Sequence, residues 1–334
     1  MKAIIPVAGM GTRLRPHTHT CPKVLFPVAG KPIVAHILDE LVRLNFDEVT
    51  FIIGYKGDMI HDFIKKNYSF KANFVEQEKM LGLGHAISLA KKYHYDDDDV
   101  FIVLGDTVFE ADIKTCFENN VSALGVQEVA DPRRFGVVVL DEKNRIKQLI
   151  EKPEEPVSNL AIVGLYYIKQ PKLLFDCLDK MIEQNIRTKS EYQLTDALQM
   201  MIADGYEMTV FKIDGWYDCG KKETVLQTNM ELLELLDEEK KLPPPQAYPD
   251  SIIIPPVAIH PTAKITNSVI GPHVTVSENT VINTSLIRNS VIGENCELKS
   301  LLLEESLVGD NCRVSGDMRS LNIGDSSELS FTKK

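Results

Sequence analysis

Behind its first apolar run the chain carries "PVAGMGTRLRPHTHTCPK", Pro6 to Lys23, where glycines, a threonine hydroxyl and cations stand without a single acid. Gly9 and Gly11 let backbone amides approach a phosphate closely, and Thr12 adds a hydroxyl donor. Arg13 offers a planar fork suited to phosphate oxygens, and Lys23 a mobile point charge. The first acidic residue is Asp39, preceded by Lys2, Arg13, Arg15, Lys23 and Lys31, although the whole chain has a formal net charge of -11. A local excess of cations inside an acidic chain points to a small anionic ligand. Nucleic acid would ask for an extended basic face, which the rest of the chain does not offer. The loop is not a dinucleotide fingerprint, since Leu14 stands where G-x-G-x-x-G needs its last glycine. Nor is it a Walker loop, which needs Gly-Lys-Ser/Thr.

Strands and helices must alternate to position such a loop. "KAIIPVA" reads as a buried strand, and "KPIVAHILDELVRL" places Ile33, Val34, Ile37, Leu38, Leu41 and Leu44 on one helical face. "EVTFIIG", "ANFVEQ" and "DVFIVLGD" read as strands, and "DMIHDFIKKNY" and "GHAISLAKKY" as the helices between them. Repeated βα units predict a mostly parallel, doubly wound α/β sheet, whose ligands sit beyond the carboxyl ends of its strands. The glycine loop after Ala8 and the Gly105-Asp106 pair after "FIVL" both obey that rule. The α/β style continues through "RFGVVVLD", "LAIVGLYYI" and "EMTVFKID" to a closing helix, "KETVLQTNMELLELLDEEKK". The reading is a catalytic domain over residues 1–241, a proline-rich linker over 242–250 and a tail over 251–334. In the tail, "IHPTAKI", "IGPHVTV", "IGENCEL", "VGDNCRV" and "IGDSSEL" keep a hexapeptide rhythm, the mark of a parallel β-helix.

The 334 residues, 44% hydrophobic and 25% charged, give room for a main domain and a smaller one. Six cysteines are scattered without a C-x-x-C pair, as reduced thiols of a cytoplasmic protein would be. "MKAIIPVAG" is too short an apolar run for a signal peptide, and no stretch nears the roughly 20 apolar residues of a membrane span. The expectation is a cytoplasmic protein with no membrane and no nucleic-acid partner.

Taken whole, G-x-G-T-R-L, then P-x-T, P-K and "PVAGKPI" resembles the signature of sugar-1-phosphate nucleotidyltransferases, most closely the glucose-1-phosphate thymidylyltransferases and their uridylyltransferase relatives. Ala8-Gly9 stands where that family usually has two glycines, a small-for-small change. Further motifs follow in family order to about residue 235. "LGDTVF" supplies Asp106, "RRFGVV" Gly136, "IEKP" Glu151 and Lys152, and "SNLAIVGLYYI" Asn159 and Gly164. "EYQLTDAL" comes next, and "GWYDCG" supplies Trp216 and Asp218.

The resemblance implies a Rossmann-like mixed sheet, a left-handed β-helix tail, and direct attack of a sugar phosphate on the α-phosphorus of a nucleoside triphosphate. Both partners are anions, so such catalysis is mainly positioning and charge neutralisation. By the same resemblance Arg13 and Lys23 hold the triphosphate, and Lys152 the phosphate of the sugar. Glu151 accepts from sugar hydroxyls, with Gly136, Asn159, Gly164 and Trp216 around the sugar. Asp106 and Asp218 correspond to the two carboxylates that hold Mg²⁺, a cation that takes one or two carboxylates plus substrate phosphates. "VEQEKMLGLGHAI" resembles the pyrimidine-reading segment, with Gln77 on the base edge and Gly82 packing against the base. An amide carries both donor and acceptor and could read a pyrimidine N3–H and carbonyl together.

Several features are set aside. His17, His19 and Cys21 lie inside the phosphate loop with no fourth ligand near in sequence. The four aspartates at 96–99 read as a solvated turn, and Cys219 lacks a visible histidine partner. The expected reaction joins dTTP or UTP to glucose 1-phosphate. Its rivals are a GDP-mannose pyrophosphorylase, a catalytically silent regulatory copy, and a bifunctional enzyme whose tail transfers acyl groups. A homo-oligomer formed through the tail is expected, because a short β-helix leaves an open end and strand edges to cover.

Overall fold

A computed structural model describes residues 1–118, 120–242 and 248–316. Most of the proline-rich segment and the repeat "IGDSSEL" therefore lie outside the described residues. The chain divides into two compact units, Met1–Thr228 and Asn229–Lys334.

The first unit opens with β1 (Lys2–Pro6), a small hairpin of β2 (Pro27–Val28) and β3 (Lys31–Pro32), and α1 (Ile33–Arg43). Then come β4 (Glu48–Ile53), α2 (Gly57–Asn67), β5 (Lys71–Glu76), α3 (Leu83–Ser88), α4 (Lys91–His94) and β6 (Asp99–Val103). The next stretch holds β7 (Thr107–Glu110), α5 (Lys114–Glu118), β8 (Ser122–Glu128), β9 (Gly136–Leu140), β10 (Ile146–Glu151) and β11 (Leu160–Lys169). The last is α6 (Pro171–Glu183), α7 (Leu194–Ala203), β12 (Met208–Lys212), β13 (Gly215–Asp218) and α8 (Lys222–Glu238), within which the unit boundary falls.

Nine strands form one sheet in the order β10-β9-β11-β6-β1-β4-β5, with β8 pairing β11 and β12 beside it. The half β6-β1-β4-β5 is parallel, as the βα alternation requires. From β11 onward the sheet turns antiparallel, with β11 against β6, β8 and β9, and only β8–β12 parallel again. The mostly parallel expectation thus holds for the first half, and the whole is the mixed Rossmann-like sheet. Antiparallel pairing is open to β11 because it can return alongside β6 without the crossover helix a parallel partner needs.

The parallel half is buried on both faces. Ile4 and Ile52 join one core cluster, Ile5 and Phe51 the other. Ile33, Val34, Ile37, Leu38 and Leu41 of α1 are almost fully buried on the face that their spacing predicts. Each such side chain contributes about 1.5–3 kcal/mol by leaving water. The segment expected as one helix from Gly84 to Tyr93 is two, α3 and α4. Leu89 and Ala90 bond back only three residues, to Ala86 and Ile87, and tighten the chain between them. The aspartate run is more than a solvated turn, since Asp97 accepts from Lys2 and bonds the fully buried His94.

Residues 252–315 of the second unit form the expected left-handed β-helix. Three parallel four-stranded ladders run through it. Ile253, Ile270, Ile287 and Leu303 stack in register along one of them, 16 or 17 residues apart. Val257, Ile265, Val274, Ile282 and Leu298 fill the shared interior. Each coil cannot bury its apolar face alone, which is why the rhythm must repeat.

Candidate active site

The loop after β1 is built by short turns. Leu14 N–H donates to Gly11 O at 2.9 Å, and the buried Thr18 hydroxyl donates to the same oxygen at 2.9 Å. Gly11 sits at φ 60, and a Cβ there would lie 2.9 Å from Lys23 Cβ and 2.9 Å from Thr18 Cγ2. Only glycine lets the two arms of the loop close on each other, and that closure sets Lys23 beside the glycines.

Lys23 donates to the Asp106 carboxylate, which stands in the turn between β6 and β7. Burial pushes the Asp106 carboxyl up, but the charge and hydrogen bond of Lys23, with Arg13 behind, leave it below its usual range. Strands β7 and β13 pair antiparallel with Asp218 opposite Thr107, and Cys219 N–H donates to Asp106 O at 3.3 Å. A methyl on Gly220 would lie 3.0 Å from Asp218 Oδ1 and 3.2 Å from Arg13 Nη2, so these two side chains converge over that glycine. The result is two cations and two carboxylates around one turn. Cys219 beside them has no exposure, and burial pushes its thiol up to about 12, which suits packing and not nucleophilic attack.

A cavity of about 550 Å³ opens here, lined by Ala8, Gly9, Gly11, Thr12, Arg13, Lys23 and Asp106 and also by Gln77 and Gly82. Val7, Leu83, Ala86 and Leu104 give it apolar walls. All eight positions expected to bind a nucleotide line this cavity. Gln77 follows β5 and is anchored through its backbone N–H to Ile53 O at 2.8 Å. Gly82 takes φ 110, and a Cβ would lie 2.6 Å from Tyr192 O. Here the chain must approach the segment before α7, where Tyr192 N–H donates to Leu81 O and Gly84 N–H to Tyr192 O, both at 2.8 Å.

The expected sugar residues do not line the cavity; three of the six, Gly136, Glu151 and Lys152, gather instead along β9 and the end of β10, where Glu151 meets Thr195 of α7. Glu151 pairs with Gly136 across the β9–β10 ladder, and a Cβ on Gly136 would lie 3.0 Å from Glu151 Oε2. Thr195 donates to Glu151 Oε2 at 2.8 Å, and Lys152 Nζ lies 3.2 Å from Glu151 Oε1. Asp196 Oδ2 and Trp216 Nε1 are buried without a hydrogen-bond partner among the described residues. Burial pushes the Asp196 carboxyl up, and nearby Glu151 adds to the push. Trp216 packs edge-on against Phe135 at 4.9 Å. Gly164, at φ 87, accepts from Leu104 N–H at 2.9 Å, and Asn159 O accepts from Val129 N–H at 2.9 Å. Asp218 also lies off the cavity lining.

Residue-by-residue reading of the sequence missed Glu191 and Met80, which line the cavity, Thr195 and His85, which hold Glu151 and Gln77, and Asp196, whose buried Oδ2 has no partner among the described residues. The "EYQLTDAL" run was the available signal for three of them.

Hard oxygen donors suit Mg²⁺, and Asp218 pairs opposite Thr107, the residue that follows Asp106. Among the described residues no group of three or more His, Cys, Asp or Glu side chains is placed to hold a metal ion. No helix among the described residues is long and apolar enough to cross a membrane.

Comparison with known proteins agrees with this geometry. Residues 2–234 match the nucleotidyl transferase family model, and residues 253–324 match the GMPPB C-terminal domain. The low-salt glycan biosynthesis nucleotidyltransferase Agl11 of Haloferax volcanii is 36% identical over 243 residues, covering 70% of this chain and 66% of its own length. The bifunctional protein GlmU of Methanocaldococcus jannaschii is 39% identical over 242 residues, covering 72% and 56%. The UTP–glucose-1-phosphate uridylyltransferase AglF of Haloferax volcanii is 34% identical over 224 residues, covering 65% and 89%. The chain thus spans little more than half of the GlmU protein and just under two thirds of Agl11. A Bacillus anthracis structure described as a glucose-1-phosphate thymidylyltransferase superposes with a TM-score of 0.60 at 26% identity, covering 69% of this chain and 94% of that one. With the family model matching more than two thirds of its residues, the chain belongs to the nucleotidyl transferase family.

Proposed function

We propose that the protein transfers a nucleotidyl group from dTTP or UTP to a sugar 1-phosphate, glucose 1-phosphate in the first instance, releasing pyrophosphate. One observation carries the reading: a single cavity is lined both by Gly9, Gly11, Arg13 and Lys23 and by a buried glutamine, Gln77. Phosphates fit the glycines and cations by charge and close backbone approach, and a base fits the glutamine by hydrogen bonding. The names of AglF and of the Bacillus anthracis protein support a pyrimidine nucleotide and glucose 1-phosphate.

In this reading Arg13 and Lys23 grip the triphosphate and neutralise charge on the reacting phosphate. Lys23 does so by letting go of Asp106. Lys152 receives the phosphate of the sugar, and Glu151, held by Thr195, accepts from sugar hydroxyls. Asp106 and Asp218 would hold Mg²⁺, which when bound supplies further charge neutralisation at the phosphates. Both substrates are held for direct in-line attack, with no covalent enzyme intermediate.

The β-helix is assigned assembly. Ile252, Leu286 and Leu302 stand on the outer face of one ladder and are 62%, 41% and 84% exposed, an apolar row that a second copy would cover.

The test is a pyrophosphate-release panel of five nucleoside triphosphates against glucose, N-acetylglucosamine, mannose and galactose 1-phosphates with Mg²⁺. Turnover of dTTP or UTP with glucose 1-phosphate is expected. A clear preference for GTP or ATP would refute the pyrimidine assignment.

A further inference from the structure

Gln77 is 5% exposed, yet it is one of the residues that line the cavity. Its amide nitrogen lies 3.3 Å from Gly82 O and 3.1 Å from His85 Nδ1. A backbone carbonyl only accepts, so the group facing Gly82 must be the NH₂. Its second hydrogen then points at His85 Nδ1, which must be the bare nitrogen of a neutral imidazole with its proton on Nε2. Both amide hydrogens are engaged within the protein. Oε1 has no protein partner among the described residues, although Gln77 is a cavity-lining residue. The sequence-level expectation that Gln77 shows a base both donor and acceptor therefore does not hold in this arrangement.

We propose that His85 is a positioning residue that locks the Gln77 amide with only Oε1 facing the cavity, making position 77 an acceptor that selects uracil or thymine over cytosine. The inference rests on the pyrimidine nucleotidyltransferase reading above and names what enforces it. Uracil and thymine carry a ring N3–H that Oε1 can accept. Cytosine presents a bare N3, which would face Oε1 lone pair to lone pair. A free glutamine would meet either base by turning its amide over, so the glutamine alone does not discriminate. Gly82 O alone is a weak hold at 3.3 Å, and His85 makes the turned-over state costly by putting its Nδ1 lone pair against an amide oxygen. Burial disfavours the imidazolium, and Lys79 adds to that, which favours the neutral ring; the amide hydrogen facing Nδ1 then selects the tautomer. His85 does not line the cavity itself, which is why its action runs through Gln77.

The experiment compares kcat/KM for UTP and CTP, with Mg²⁺ and the sugar 1-phosphate found in the panel, in wild-type, His85→Leu and His85→Asn proteins. Wild type should favour UTP by about 100-fold or more, as expected of a site that leaves its own polar group unpaired with the wrong partner. In His85→Leu the ratio should fall below about 10-fold, mainly because CTP improves, since the amide is free to turn. Asparagine can place Oδ1 near the position of Nδ1, and His85→Asn should restore the ratio to within about threefold of wild type. A wild type with no preference for UTP over CTP overturns the pyrimidine reading together with this inference. A wild type that prefers UTP while His85→Leu keeps the same ratio overturns the role of His85 alone. Should His85→Leu fail to fold, the wild-type protein decides. 3-Methyluridine triphosphate should be rejected as CTP is, and the ¹⁵N spectrum should show His85 Nδ1 unprotonated. Acceptance of the methylated base, or a protonated Nδ1, refutes the lock.

Discussion

Replacing Gly82 by alanine should destabilise the catalytic unit by about 2–6 kcal/mol. Backbone strain supplies the first part, since φ 110 and ψ 174 fall where essentially only glycine is comfortable, at about 1–3 kcal/mol. Overlap supplies the second. The new methyl would sit 2.6 Å from Tyr192 O and 2.9 Å from Tyr192 N, backbone atoms that cannot swing aside, for about 1–3 kcal/mol more. If the segment before α7 gives way instead, the 2.8 Å bonds from Tyr192 N to Leu81 O and from Gly84 N to Tyr192 O are strained, at about 1 kcal/mol each. The assay is urea unfolding followed by the fluorescence of the single tryptophan, Trp216, which lies in the catalytic unit. Gly9→Ala is the matched control. Nothing lies within 4 Å of a Cβ at Gly9, so stability should stay within about 0.5 kcal/mol of wild type. Its methyl would instead project into the phosphate side of the cavity and lower activity. A loss below about 1 kcal/mol for Gly82→Ala, or equal losses for both variants, would refute the steric reasoning.

Three further outcomes are expected. Lys23→Met should lower the turnover of pyrophosphate release by about 100-fold or more with the fold intact, because the lost contribution is charge stabilisation at the phosphates, and near-normal turnover would remove Lys23 from the mechanism. Burial, with Lys31 adding, lowers the pKa of His36 to about 4 while its Nε2 donates to Val28 O at 2.9 Å. The folded protein thus binds fewer protons there than the unfolded chain. Its contribution of at most about 3 kcal/mol is complete above about pH 6.5 and is lost as pH falls toward 4. His36→Gln should flatten stability against pH across that window, and an unchanged slope in urea midpoints would disprove it. Deleting residues 246–334 should shrink the particle in light scattering while any soluble remainder keeps pyrophosphorylase activity, and an unchanged oligomer would refute the assembly role of the tail.

Much of this protein is legible locally. Periodicities of 3.6 and 2 mark α1 and the parallel strands because each element must bury one stripe or both faces wherever it ends up. The hexapeptide rhythm marks the β-helix for the same reason, since a coil with one buried aliphatic per side is the smallest unit that can stack. The glycine loop announces its chemistry because close backbone approach needs glycine regardless of what the rest of the chain does.

Tertiary structure decided the rest. Lys23 and Asp106 meet across 83 positions of chain, and Gln77 finds its amide fixed by His85 eight residues on, one turn into a helix that the sequence drew too long. The antiparallel return of β11 along β6, and the docking of Tyr192 against Leu81 and Gly84, depend on register between distant segments. Period and composition carry no register, because a strand of the right pattern satisfies its own burial beside several partners. Which partner it takes, and so which side chains share the cavity, is settled only when the whole sheet closes its hydrogen bonds at once.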